Sequence, residues 1–244
     1  MLLHGFHVVM SRLRRAPDSV TELYLDQGRE DARMGQIRLL ADQAGIRAKL
    51  VESVRLDRIC RHRRHQGVVA FAEADFAPIS LEQLLGDIDG PALLLVLDGV
   101  TDPRNLGACL RVADGAGAHG VIAPKDHACT LTDVAVQTAS GAAESVPYVM
   151  VTNLSRAMDT LNDAGIWTVG TVDDADQSLW QAGLPESIAW LLGAEGRGLR
   201  RLTRERCDQL VSIPMHGSVS SLNVSVAAGL ALYESVRRRS SSAS

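Results

Sequence analysis

The sequence predicts an α/β protein in two parts: a small N-terminal α/β domain and a larger C-terminal α/β domain built on a parallel sheet. Short apolar runs alternate with amphipathic stretches along the chain. After residue 91 the apolar runs are continuous, which is typical of parallel strands buried on both faces. Hydrophobic residues make up 46% of the chain but aromatic residues only 4%, so aliphatic side chains must form the core.

The first part of the chain, residues 1–73, is predicted to be one compact unit. Its first helix stops ahead of Pro17, and its second is closed by Gly45. Helices are predicted at 5–15, 30–45 and 53–60, and strands at 20–26, 46–52 and 67–73. Residues 74–90 contain Pro78 and one short amphipathic segment without a strand, so they are interpreted as a linker.

The second part, residues 91–239, alternates strands with helices, which predicts a parallel sheet covered on both sides. Its first strand, at 92–98, is the aliphatic run ALLLVLD. Further strands are predicted at 120–124, 145–151, 166–172, 188–193 and 209–215, and helices at 103–118, 131–142, 153–165, 202–207 and 222–236. Residues 240–244 are expected to be a disordered tail.

Charge is divided unevenly between the two parts. Residues 1–70 contain 13 Lys and Arg against 8 Asp and Glu, a net charge of +5. The rest of the chain has 12 against 21, a net charge of −9. A basic N-terminal part favours contact with a polyanion. A solvated charged surface explains the same numbers, and charge alone leaves both interpretations open.

Several classes of protein are disfavoured. No apolar run reaches the roughly 20 residues that span a bilayer, and no signal peptide is recognised, so a cytoplasmic protein without a membrane partner is predicted. The four cysteines are scattered and are interpreted as reduced thiols. Cys60, His62 and His65 share too short a loop for tetrahedral ligation, so no metal is predicted. Neither a dinucleotide fingerprint nor a Walker A loop occurs.

Polar residues follow the first strand of the second part, in LDGVTDPRNLGACLR. The strand ends at Asp98, and a helix begins at Pro103, a favoured first-turn residue. Asn105 and Arg111 then lie near the carboxyl edge of the sheet, where doubly wound folds bind ligands. A polar helix start and a solvated arginine would account for the same residues.

A glycine-rich turn follows the strand at 188–193, in WLLGAEGRGL. Gly193, Gly196 and Gly198 let the backbone approach a ligand closely and point amide groups at it. Glu195 lies within this turn. The alternative is an ordinary turn with a solvated glutamate, although three glycines in six residues favour a binding loop.

The third motif is SIPMHGSVSSLNVSVAAG, residues 212–229. A loop of small residues, which includes Ser220, Ser221 and Asn223, leads into a helix of mostly small residues. Larger apolar residues form one stripe along that helix, at Leu222, Val226, Leu230 and Tyr233. Helix capping by Ser221 and simple core packing of the stripe would explain the same pattern, and neither excludes a functional site.

In this order the three segments resemble the three motifs of the SpoU/TrmH branch of the SPOUT RNA 2′-O-ribose methyltransferases, over about residues 92–237. Within residues 1–73, the segments HGFHVV, GRED and HQGVVA are similar to the ribosomal-protein-like substrate-binding domain of the bacterial 23S rRNA guanosine 2′-O-methyltransferases. The resemblance thus covers nearly the whole chain. It implies a deep trefoil knot in the C-terminal domain, which no strand pattern could predict.

The resemblance also implies a reaction and the residues that perform it. A methyl group would pass from S-adenosylmethionine to the ribose 2′-hydroxyl of a guanosine in 23S rRNA, in the P-loop of the peptidyl-transferase region. The implied cofactor contacts are Gly193, Glu195, Gly196, Ile213, Met215 and Leu222. The implied catalytic positions are Asn105, Arg111, Glu195, Ser221 and Asn223.

Roles and partners follow from the same resemblance. Arg111 is interpreted as a group that holds a phosphate and stabilises alkoxide charge, because a guanidinium stays protonated. Either a substrate phosphate or Glu195 is then left to take the proton. The RNA would be bound by the N-terminal domain, and the chain would form a homodimer through its C-terminal domain. The residues expected to contact RNA phosphates are Arg61, Arg63 and Arg64.

Three alternatives stay open. A tRNA ribose 2′-O-methyltransferase shares the three motifs, and a non-catalytic RNA-binding protein would keep the same fold. The intact polar positions Asn105, Arg111, Glu195 and Asn223 speak against the second. A serine hydrolase built on the paired serines of the third motif would need a G-x-S-x-G turn, which is absent.

Overall fold

The chain divides into two compact units, residues 1–77 and 78–244. The computed structural model describes residues 2–60, 65–73 and 79–242. The predicted RNA contacts Arg61, Arg63 and Arg64 lie outside these ranges. Within them, no helix is long and apolar enough to cross a membrane, and no cluster of three His, Cys, Asp or Glu side chains could hold a metal ion.

The N-terminal unit is a four-stranded sheet with helices on both faces. Its strands, in the spatial order β1-β4-β2-β3, are β1 (Leu2–His4), β2 (Val20–Asp26), β3 (Ala48–Val51) and β4 (Val68–Ala72). Strand β4 is antiparallel to β1 and β2, whereas β3 is parallel to β2. The helices are α1 (Phe6–Arg15), α2 (Ala32–Gln43) and α3 (Ser53–Ile59). The elements predicted here are confirmed, and β1, too short to show a period, is an addition.

The two faces of this sheet follow from alternation along its strands. In β2, Leu23 and Leu25 belong to one core cluster with α1 and α2, while Tyr24 packs in a second cluster with Leu56 of α3. Successive side chains of a strand point to opposite faces, so a run such as VTELYLD can serve two helix layers.

The C-terminal unit is a six-stranded sheet in which every pairing is parallel. The spatial order is β10-β8-β9-β5-β6-β7. The strands are β5 (Leu93–Asp98), β6 (Gly120–Pro124), β7 (Tyr148–Val151), β8 (Trp167–Thr171), β9 (Ile188–Gly193) and β10 (Gln209–Val211). All six residues of β5 are buried, which confirms that the continuous aliphatic run is a strand covered on both faces.

Helices cover both faces of this sheet. They are α4 (Leu81–Gly86), α5 (Pro103–Gly115), α6 (Asp133–Ala139), α7 (Ala142–Ser145), α8 (Leu154–Asp163), α9 (Arg201–Glu205) and α10 (Val224–Ser242). Leu93 and Leu95 pack in one cluster with α5 and α10, and Leu94 packs in the other with α4 and α8. Trp190 of β9, fully buried, donates to Ser235 Oγ of α10 at 2.9 Å.

The strand order reverses between β5 and β9. The chain leaves β5 toward β6 on one side, and it leaves β9 toward β10 on the other. Loops that depart in opposite directions open a crevice at the carboxyl ends of the two strands. The fold therefore places a binding site where Asp98 ends β5 and Gly193 ends β9.

Three local predictions differ from the structure. Helix α4 lies in the segment interpreted as a linker, where a capping box between Ser80 and Gln83 starts it and the Leu81 and Leu84 side chains are buried. The helix predicted at 131–142 is interrupted by Ser140 and Gly141, which both adopt positive φ. The last strand stops at Val211 rather than at residue 215.

Residues 240–242 of the predicted disordered tail belong to α10, which continues to Ser242, and residues 243–244 lie outside the described ranges. Arg238 donates to Glu234 and to the carbonyl of Ala182, and Arg239 donates to the carbonyl of Ala92 at 2.8 Å. These contacts to distant backbone hold the last turns of the helix against the unit, so residues 240–242 remain helical.

Candidate active site

The crevice at the carboxyl edge of the C-terminal sheet is formed by three loops. One follows β5, one follows β9, and one leads into α10. They carry the three motifs that the sequence analysis singled out. The loop after β5 is shaped by Asp102, whose side chain accepts from Arg104 N at 2.7 Å and caps α5. Pro103 occupies the first turn, and Asn105 follows it at the rim.

The loop after β9 is a tight turn that only glycine permits at its first position. A Cβ on Gly193 would lie 1.9 Å from Gly198 C and 2.1 Å from Gly198 O. The turn closes through a hydrogen bond from Gly198 N to Ala194 O at 2.9 Å. Gly196 and Gly198 adopt φ of 73° and 65°, a conformation that favours glycine. The turn presents Glu195 at its tip.

The three motifs meet in one hydrogen-bonded cluster of Asn105, Glu195 and Asn223. Asn223 Nδ2 donates to Asn105 Oδ1 at 3.0 Å and also to Glu195 Oε1. Asn105 Nδ2 donates to the same Glu195 Oε1 at 3.2 Å. These contacts join residues 28 to 118 positions apart in sequence, so the fold brings the three side chains together.

The cluster is anchored on one side and open on the other. Asn223 Oδ1 accepts from Ser225 N at 2.9 Å and from Ser225 Oγ at 2.6 Å, which ties it to the first turn of α10. Glu195 Oε2 has no hydrogen-bond partner among the described residues. An exposed carboxylate oxygen is thus held in place by its neighbours and left free to accept from a ligand.

A cavity of about 420 Å³ opens on one side of this cluster. All six predicted cofactor contacts line it, as does Ser221. Its wall combines backbone of the glycine turn with aliphatic side chains and charged groups of both signs. These include Leu192, Leu199, Ile213, Val224 and Ala227 among the apolar residues, and Asp173, Asp174, Arg197 and Arg204 among the charged ones. We call this space the first cavity.

A second cavity of about 450 Å³ lies at the end of β5. It shares Ala194, Glu195, Arg197, Gly198 and Val224 with the first cavity, so Glu195 lines both. Asn105 lines only the second cavity. Glu195 therefore borders two adjoining spaces, each large enough for a small ligand.

Two predicted catalytic residues lie outside the cluster: Ser221 lines the first cavity, whereas Arg111 lies farther away. It is exposed on α5 and lines neither cavity. Arg111 follows Asn105 by six positions, so its side chain points about 120° away from that of Asn105 around the helix. Cys109 lies between them but is buried, and burial raises the pKa of its thiol to about 12, with Glu195 adding to the shift. It therefore stays a neutral core residue.

Sequence reasoning missed two residues of the second cavity, Asp98 and Arg200. Asp98 Oδ2 accepts from Arg200 N at 3.0 Å, and Asp98 Oδ1 accepts from Arg200 Nε at 2.5 Å. One feature of the sequence pointed there: residues 197–206 hold five arginines within an otherwise acidic domain.

Comparison with known proteins agrees with this geometry. The model of the SpoU rRNA methylase family matches residues 92–233, and a model for RNA 2′-O ribose methyltransferase substrate binding matches residues 2–76. The chain is 55% identical to the 23S rRNA (guanosine-2′-O-)-methyltransferase RlmB of Bordetella pertussis, over 98% of this chain and 97% of that protein. It is 47% identical to the protein of the same name from Escherichia coli, over 98% and 99%.

Solved structures of SpoU methyltransferases are also similar to this chain. The SpoU methyltransferase AviRb from Streptomyces viridochromogenes, in complex with the cofactor AdoMet, superposes with a TM-score of 0.75 at 28% identity. The match covers 99% of this chain and 91% of that one. With three motifs joined at one cavity edge and both family models matched in order, the chain belongs to the SpoU rRNA methylase family.

Proposed function

We propose that this protein transfers the methyl group of S-adenosylmethionine to the ribose 2′-hydroxyl of a guanosine in 23S rRNA, within the P-loop of the peptidyl-transferase region. The observation that carries the proposal is the hydrogen-bonded cluster of Asn105, Glu195 and Asn223, whose glutamate lines both cavities. The names of the most similar relatives support the substrate.

The first cavity fits the methyl donor. S-adenosylmethionine has an apolar ring system at one end and an ammonium and a carboxylate at the other. The wall offers aliphatic side chains for the first, and Asp173 and Arg204 carry charges of both signs for the second. A Cβ at Gly196 would meet no atom within 4 Å, so the glycine leaves open space above the turn. The cofactor, when bound, supplies an activated methyl group.

Glu195 is the group we assign to the acceptor hydroxyl. Its Oε1 is fixed by two amide donors, so its Oε2 is available to accept a hydrogen bond from the 2′-hydroxyl and then its proton. Asn105 and Asn223 position the carboxylate rather than exchange protons. The protein's main contribution is alignment, which is worth about 7–11 kcal/mol in well-oriented systems.

We further propose a homodimer in which the partner's Arg111 completes the site. On α10, Val226 and Tyr233 of the predicted stripe are each 50% exposed, which leaves an apolar strip uncovered. Arg111 lies beside Val112, which contacts α10 near Gly229. Mixing an Arg111→Ala variant with a Glu195→Gln variant should then restore methyl transfer in mixed dimers. Failure to restore it, with mixed dimers present by native mass spectrometry, would contradict the shared site.

The proposed function is tested with unmodified 23S rRNA transcript, tRNA and labelled S-adenosylmethionine. We expect label on one ribose of 23S rRNA and none on tRNA, with the position mapped by resistance to alkaline cleavage. Label on tRNA alone would favour the tRNA ribose methyltransferase. Calorimetric binding of S-adenosylmethionine without transfer to either RNA would favour a non-catalytic RNA-binding protein.

A further inference from the structure

Arg200 at the second cavity is held by its Nε and its backbone rather than by the end of its side chain. Both bonds go to Asp98, whose carboxylate is fully buried at the end of β5. Both carboxylate oxygens are used by this one arginine. The guanidinium is therefore fixed in place by a rigid strand, which lowers the conformational entropy that a later contact would have to remove.

The bonds to Asp98 do not involve the two Nη groups of Arg200. In the part of the chain that the structure describes, neither donates a hydrogen bond, and the side chain is 49% exposed at the wall of the second cavity. Two parallel N–H groups on a planar fork match two oxygens of a phosphate group. The unused end of Arg200 is thus a preorganised anion donor.

The neighbouring arginines differ from Arg200. Arg201, Arg204 and Arg206 each pair through an Nη atom with a carboxylate of their own, and none of the three lines the second cavity. Arg197 lines both cavities and forms no ion pair within the described ranges. Within the described part of residues 197–206, the positive groups that remain available at the second cavity are therefore Arg197 and the two Nη groups of Arg200, close to Glu195.

We propose that the second cavity holds the acceptor nucleotide and that Arg200 binds the RNA phosphate beside the reacting ribose. This rests on the proposed function, since it needs the methyl donor in the first cavity. Glu195, which lines both spaces, then lies between donor and acceptor. Asp98 acts as a positioning residue through Arg200. Residues 71–244 carry a net charge of −9, which disfavours nonspecific contact with RNA, so a phosphate contact fixed at Arg200 would set the register of the nucleotide.

The test compares Arg200→Ala with the matched control Arg201→Ala. The control removes the same charge from the neighbouring residue, whose side chain is 79% exposed. RNA affinity is measured by fluorescence anisotropy with a 23S rRNA fragment over a range of salt concentrations. For Arg200→Ala we expect about tenfold weaker binding and a salt slope shallower by about 0.7, the value of one lost phosphate contact on a single strand. Arg201→Ala should keep the slope of the wild type.

Two further measurements separate binding from folding. Calorimetric affinity for S-adenosylmethionine should be unchanged in Arg200→Ala, because Arg200 does not line the first cavity. Arg200→Lys should keep the salt slope but lose kcat/KM, since an ammonium cannot bond Asp98 through Nε and also present a fork. If Arg200→Ala lost affinity for S-adenosylmethionine, the Asp98–Arg200 pair would have a structural role only, and the proposed phosphate contact would be wrong.

If RNA affinity depended on salt concentration with the same slope in Arg200→Ala, Arg201→Ala and the wild type, the proposed phosphate contact of Arg200 would also be wrong. The proposed function fails separately, when the wild-type protein itself transfers no methyl group to 23S rRNA. If the wild type methylates and Arg200→Ala methylates equally well with an unchanged KM for RNA, only the assignment of Arg200 is wrong.

Discussion

The two ends of helix α10 are both surrounded by polar side chains, but they use their hydrogen-bonding capacity differently. Toward the C-terminal end Glu234 is buried, its Oε1 accepts from Arg237 and Arg238, and its Oε2 accepts from Arg237, all at 2.7–2.8 Å. At the N-terminal end the cluster around Asn223 is exposed, and Glu195 keeps one oxygen without a partner in the described residues. We call the C-terminal end filled, because both carboxylate oxygens have donors, and the N-terminal end unfilled, because one oxygen lacks a donor. The filled network stabilises the fold, whereas the unfilled one can still accept a hydrogen bond from a substrate.

The largest effect should come from the unfilled end. In Glu195→Gln, Oε1 can still accept from the two asparagines, but the group at Oε2 becomes an amide that donates instead of accepting. We expect the single-turnover rate of methyl transfer to fall by about 100- to 10,000-fold, the usual contribution of a positioned acid or base. Chemical denaturation should show an unchanged free energy of unfolding.

Glu205→Gln is the matched control, because Glu205 is exposed and pairs only with Arg201 among the described residues. Its transfer rate should equal that of the wild type. A Glu195→Gln enzyme with full rate would mean that a substrate phosphate takes the proton and that the cluster merely shapes the loop.

The sequence predicts strands well where local burial alone determines them. Strands β2, β6 and β9 are predicted residue for residue, because their apolar runs are bounded by turns and report local burial directly. The strand predicted at 209–215 stops early for a physical reason: Ile213 and Met215 line the first cavity instead of the sheet. Apolar residues look the same in a sequence whether they face a core or a ligand.

Long-range partners are what the sequence could not supply. The run RRRSSSAS has the composition of a tail, yet Arg238 and Arg239 reach backbone carbonyls more than 50 residues away. The members of the site cluster were implied by family resemblance, but their hydrogen bonds and the Asp98–Arg200 pair depend on loops that only the folded sheet brings together. The knot stays a prediction.

An intermediate effect is expected at the filled end, and it should appear in stability rather than rate. Glu234→Ala removes the acceptor of three charge-assisted hydrogen bonds and releases Arg238 from its position against the carbonyls of Leu179 and Ala182. We expect the free energy of unfolding to fall by about 2 kcal/mol. Urea denaturation followed by circular dichroism measures it.

Glu205→Ala serves again as control, because an exposed pair four residues apart contributes at most about 0.5 kcal/mol. Glu234→Ala should retain methyl transfer at temperatures where it is folded. A variant as stable as the wild type would show that the arginines find other partners and that the filled network is not a source of stability.

The smallest effect is a pH dependence confined to the filled end. Hydrogen bonds from Arg237, and then those from Arg238, lower the pKa of Glu234 in the folded protein. A carboxylate with a lowered folded-state pKa stabilises the protein above its unfolded pKa, about 4.3, and loses that contribution as pH falls through the folded value. The difference in unfolding free energy between the wild type and Glu234→Gln should therefore be full at pH 7 and shrink below about pH 4.3. A difference that does not change with pH would mean that the ionisation of Glu234 contributes nothing to stability, because Gln has the same shape but no charge to titrate.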